Sequence, residues 1–88
     1  MKAGLFSVRD SATQVYQNIF QAHTNEAAIR SFGDLARDET TNVCKHPDDF
    51  ILYRIGTWDD DTGTVTGEEP IKLAHARDYH GKTSTETT

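Results

Sequence analysis

Apolar and polar residues alternate from the start of the chain. Over residues 2–10 Leu5 falls on one face and Gly4, Phe6 and Val8 on the other, the period-two pattern of a half-buried strand. Asp10-Ser11-Ala12-Thr13 follows, and Asp and Ser side chains bond their own backbone in turns. Residues 14–20 alternate again, with Tyr16 and Phe20 on one side and Val15 and Ile19 on the other. Two such runs around a short polar turn predict a hairpin.

The period then changes to that of a helix. Thr24 is a good N-cap, and Glu26 sits in the first turn, where it complements the helix dipole. Ala28, Ile29, Phe32, Leu35 and Ala36 form one apolar stripe, and Glu26, Arg30, Asp34, Arg37 and Asp38 line the opposite face. The pattern breaks after Asp38, and residues 40–49 read as a loop closed by His46-Pro47-Asp48-Asp49.

Residues 50–58 are rich in β-branched and aromatic types and predict a strand apolar on both faces. Simple alternation places Phe50, Leu52 and Trp58 on one face, and Ile51, Tyr53 and Ile55 on the other. Asp59-Asp60-Asp61-Thr62-Gly63 is hairpin-loop chemistry, with Gly63 where positive φ is needed. Thr64 to Thr66 begins a return strand, Glu68-Glu69-Pro70 interrupts it, and residues 71–76 form a short final strand or loose packing.

The predicted fold is α+β: an antiparallel sheet of about four strands in the order β-β-α-β-β, with one helix on one face. Residues 1–76 are expected to form a single domain, and residues 77–88 a flexible polar tail. One helix covers one sheet face. The other must be polar, paired with a second subunit, or used for a ligand. A chain of 88 residues buries only about two thirds of its unfolded surface, so its stability margin is thin. Cys44 is the only cysteine, which excludes an internal disulfide and makes a homodimer the expected supplement.

Charge narrows the functional classes. The formal net charge is −5, the wrong sign for a protein that coats nucleic acid through bulk phosphate attraction. A local patch, or aromatic stacking, still allows single-strand binding. No stretch approaches the roughly 20 apolar residues of a membrane span. The N-terminal apolar run is broken by Arg9 and is too short for a signal peptide. With a lone cysteine, these features suit a cytosolic protein.

Chemical sites are weakly signalled. Cys44, His46, Asp48 and Asp49 include no second pair of zinc ligands. If Asp59 opened a calcium loop, glycine would fall at the fifth position and Pro70 at the twelfth, where the calcium motif needs glutamate. On a strand, Cys44 and His46 would point the same way, but no glycine-rich oxyanion loop accompanies them. No metal, cofactor or enzymatic activity is therefore expected. Phe6, Tyr16, Tyr53 and Trp58 lie on predicted strands, where aromatics serve either as core or as platforms for bases. Tyr16 and Tyr53 are the candidate stacking residues, and Arg9, Lys72, Arg77 and Lys82 the candidate phosphate contacts.

The order of the segments is itself distinctive. The strand "LFSVRDSAT", the helix "AHTNEAAIRSFGDLARD", the segment "KHPDDFILYRIGTWDDDTG" and an acidic stretch before Lys-Leu resemble the small non-structural protein of gokushoviruses, single-stranded DNA phages of the microvirus group. The similarity covers roughly residues 5–74 and is most specific at "NEAAIRSF", "HPDDF" followed by "LYRIG", and "WDDDTG". It implies a non-enzymatic accessory protein in the host cytoplasm that assists single-stranded genome synthesis or packaging, and it carries over no catalytic residues. Two readings follow from it. One is direct contact with single-stranded DNA. The other is a protein–protein adaptor acting on the phage replication or capsid proteins.

Overall fold

The computed structural model describes residues 1–80. Strand β1 (Lys2–Asp10) forms the spine of one antiparallel sheet, flanked on one side by β4 (Phe50–Asp59) and then β5 (Thr64–His75). Its other edge is covered by two short segments, β2 (Val15–Tyr16) and β3 (Phe20–Ala22). Helix α1 (Asn25–Arg37) packs across one face, and a one-turn helix α2 (Asn42–Lys45) and a 3-10 turn (Ala76–Asp78) are the other elements among the described residues. The α+β class and the single main helix agree with the sequence pattern.

The core lies between α1 and the sheet. Phe6 and Val8 of β1, Phe50 and Leu52 of β4 and Ala74 of β5 meet Ala28, Phe32 and Ala36 of α1. Alternation on the strands and the 3.6-residue stripe on the helix place these side chains on facing surfaces. Burying a side chain such as Phe32, 2% exposed, contributes about 1.5–3 kcal/mol. Thr24 caps α1 by accepting from the Ala27 N–H at 3.0 Å, and Asp38 ends it.

Four expectations are corrected. Residues 14–20 do not alternate as one strand. Tyr16 pairs with Arg9, but Phe20 pairs with Phe6, so one extra residue lies between them and the two rings point to opposite faces. The break is held by the Gln17 N–H donating to the Val8 carbonyl and by the Ser7 hydroxyl donating to the Gln17 carbonyl. Part of the expected 40–49 loop is α2, because the Thr41 hydroxyl caps it at the Cys44 N–H and Val43 joins the core. Strand β4 carries a bulge at Ile55: Phe6 faces Arg54, Leu5 faces Gly56, and Ile55 faces neither. That extra residue turns Trp58 away from the Phe50–Leu52 face and onto the face of Tyr53. Finally, β5 runs unbroken from Thr64 to His75. Glu68, Glu69 and Pro70 are absorbed as a register shift opposite Ile55, on a sheet edge where proline costs no ladder bond.

Turn chemistry follows the sequence at the β4–β5 connection. Gly63 has φ +69° and donates to the Asp59 carbonyl at 2.9 Å. Beyond β5 the chain stays close to the body: Ala76 is fully buried, and the Tyr79 ring approaches Gly33 of α1. Of the flexible tail expected at residues 77–88, residues 81–88 lie outside the described residues.

Candidate functional site

The sheet face away from α1 has no helix over it. Antiparallel register arranges its side chains in rows across the strands. Tyr16, Arg9, Ile51 and His75 form one row. Ser7, Tyr53 and Lys72 form the next, followed by Gln21, Leu5, Gly56 and Gly67, then Ala3, Trp58 and Val65.

Four of the six residues singled out from sequence meet at one end of this face. The Tyr16 and Tyr53 rings contact edge to face, with centroids 5.5 Å apart. The Arg9 guanidinium lies over the Tyr16 ring at 5.9 Å, within cation–π reach. Lys72 stands beside Tyr53 in the ladder and is exposed. Tyr16 is 40% exposed, and Tyr53 is half-buried. Arg77 is not part of the group. It is exposed on the 3-10 turn next to Ala76, which is buried in the core. Lys82 lies outside the described residues. Lys72 and Arg77 therefore do not share one stripe. His75 between them is buried, its ring Nε2 3.0 Å from the Asp48 carbonyl oxygen.

Charge is segregated between the two faces. The ladder positions of the open face carry Arg9, Lys72 and His75, and no carboxylate stands at those positions among the described residues. Asp10 and Asp59 alternate onto the α1 side. Glu68 also lies there, accepting from the Thr57 hydroxyl at 2.6 Å and from the Arg54 guanidinium at 3.4 Å. These bonds, that of Thr57 first, hold its carboxyl below the ordinary value of 4.5. Arg54 in turn donates to the Asn25 side chain at 2.8 Å, tying β4 to the first turn of α1. The remaining acidic groups among the described residues lie in α1, the loops, the Asp59–Asp61 turn and the 3-10 turn, apart from Glu69, which is exposed in the unpaired stretch of β5 opposite Ile55.

Of the aromatics, Phe6 is fully buried core, packed on Phe20 with centroids 5.7 Å apart. Trp58 belongs to the open face, where sequence alternation did not place it. At its end of that face, Leu5, Ile19, Gln21 and Trp58 line a shallow depression. The only sequence signal for this position is Gly56, close to the bulge, where a β-carbon would meet the Thr66 carbonyl oxygen at 2.4 Å.

The other candidate chemistry is not assembled. Cys44 is buried on α2, whereas His46 is exposed, so the pair is not aligned. The Asp59, Asp60 and Asp61 carboxylates lie within 4.8 Å of one another, and two of them accept from the Met1 ammonium. That contact raises the ammonium pKa, chiefly through the hydrogen bond to Asp60. Among the described residues, no helix is long and apolar enough to cross a membrane.

No curated protein and no solved structure matches the chain. A family of phage proteins does: the model described as Phage ORF5 protein matches residues 3–79, which include all of the strands but Lys2, the helices and the whole open face. Over that length the match covers nearly the entire fold, and the chain belongs to the Phage ORF5 protein family.

Proposed function

We propose that this phage accessory protein is a non-enzymatic binder of single-stranded DNA that uses its open sheet face, and that it serves genome synthesis or packaging in a microvirus-type phage. The observation carrying this reading is the Tyr16–Tyr53 pair, flanked by Arg9 and Lys72 on a face whose ladder positions lack carboxylates. Aromatic faces stack on bases regardless of sequence, and each stack contributes roughly 1–3 kcal/mol. Two cations beside the rings suit a phosphate backbone. The lack of carboxylates at those ladder positions also bears on the −5 charge, because a strand would meet the sheet face and not the average surface. The resemblance to gokushovirus non-structural proteins points to the same setting.

Fluorescence anisotropy with labelled single-stranded and duplex DNA, at two salt concentrations, tests the reading. Single strands should bind more tightly, with a shallow salt slope from only a few displaced counterions. Tyr16→Ala and Tyr53→Ala should each weaken binding by roughly 1–3 kcal/mol. Arg9→Ala and Lys72→Ala should reduce the salt slope, while Arg77→Ala changes it little. Equal affinity for duplex and single strand would reject stacking as the main contribution.

A second reading is favoured by the other end of the same face, where Ile19 and Val65 are 62% and 64% exposed beside Trp58. Apolar exposure of this kind suits a protein partner: a second copy of the chain, or a phage replication or capsid protein. Light scattering at twice the monomer mass, without DNA binding at low salt, would favour it.

A further inference from the structure

Resting on the single-strand reading above, we propose that Trp58 is a second base-stacking position, separated from the Tyr16–Tyr53 pair by a strip that carries only glycine on β4 and β5. Four observations carry this. The Ile55 bulge puts Trp58 on the same face as Tyr53, two ladder rows away. Between them lies the row containing Gly56 and Gly67, paired directly across β4 and β5. A β-carbon on Gly67 would meet no atom within 4 Å, so this part of the strip is open to solvent. Trp58 itself is only partly buried and borders the depression formed with Leu5 and Ile19.

The spacing sets what can bind. Two rows correspond to about four residues of strand, or roughly 13 Å at about 3.3 Å per residue. Bases in a duplex are stacked about 3.4 Å apart along each strand. One base on the tyrosines and another on Trp58 therefore cannot be stacked neighbours. The strand must be drawn out between them, its sugar–phosphate passing over the exposed Gly67. A duplex cannot extend in this way without melting, so the geometry selects extended single strands and excludes duplex by shape. A mononucleotide would reach only one of the two seats.

Trp58 is the only tryptophan in the chain, so its emission reports on this seat alone. Titrating the full chain with an oligothymidylate of about ten nucleotides should quench that emission, with the same midpoint as the anisotropy of the labelled oligomer. Trp58→Phe should retain most of the affinity, whereas Trp58→Ala should lose roughly tenfold, the scale of one stack. Gly67→Val supplies a variant that leaves the core intact, since it adds atoms where none are met. It should fill the strip and weaken binding several-fold, with an unchanged melting temperature. Binding seen by anisotropy that leaves Trp58 emission unchanged, and that neither Trp58→Ala nor Gly67→Val weakens, overturns this inference and leaves the single-strand reading standing. Absence of any binding at low salt overturns both.

Discussion

At the scale of single residues, the fold rests on few side chains, and one backbone position is strained. Gln14 closes the turn after β1 with φ +62°, its N–H donating to the Asp10 carbonyl at 2.7 Å. A residue with a β-carbon pays about 1–2 kcal/mol for that left-handed conformation. Gln14→Gly should remove most of this strain. After allowing for the greater freedom of glycine in the unfolded chain, a net gain of about 0.5–1 kcal/mol is expected. In a domain of this size that raises the melting temperature by a few degrees, readable by circular dichroism. A lower melting temperature would mean that the Gln14 side chain contributes an interaction outweighing the strain. Nothing in the residue pattern marks the position, because Asp10-Ser11-Ala12-Thr13 announces a turn without saying which residue turns left-handed.

At the scale of elements, period and capping were legible, and counting was not. Helix α1 shows in the spacing of Ala28, Phe32 and Ala36 and in the Thr24 cap, both local properties. Strand β1 shows in the alternation of Phe6 and Val8 about Leu5. The open face of the sheet follows from one helix meeting one sheet, and Arg9, Tyr16, Tyr53 and Lys72 all fall on it. The two bulges were not legible, since an extra residue is defined by the partner strand and not by its own identity. Each reversed the face of whatever followed, Phe20 in one case and Trp58 in the other. Helix α2 was missed because four residues carry too little periodicity. Its Thr41 cap is the signal that was available.

The β4 bulge makes a sharp comparison possible. Ile55→Val keeps the residue count and should cost about 0.5–1.5 kcal/mol, as for other buried isoleucines, or less here because Ile55 is only half-buried. Deleting Ile55 forces a choice. Either Trp58 rotates toward α1, where Thr57 and Glu68 now bond, or the ladder from Gly56 onward slips against both β1 and β5. The deletion should lower the thermal midpoint by far more than the substitution. Similar midpoints for the two variants would show that the bulge does not hold the register.

On the scale of the whole molecule, the observation with the widest reach is the two-sided charge. The net charge is −5, while the ladder positions of the open face carry Arg9 and Lys72 and, among the described residues, no carboxylate. A DNA strand lying on that face would be covered by a layer whose outer surface is again anionic. In colloidal terms, such a coat replaces one negative surface with another. A polycation neutralises DNA and precipitates it near charge equivalence, whereas strands dressed in this protein would keep repelling one another. Turbidity should stay flat as long single-stranded DNA is saturated with protein at low salt. A phage protein of this kind would hold genome strands apart and accessible, leaving their compaction to other components.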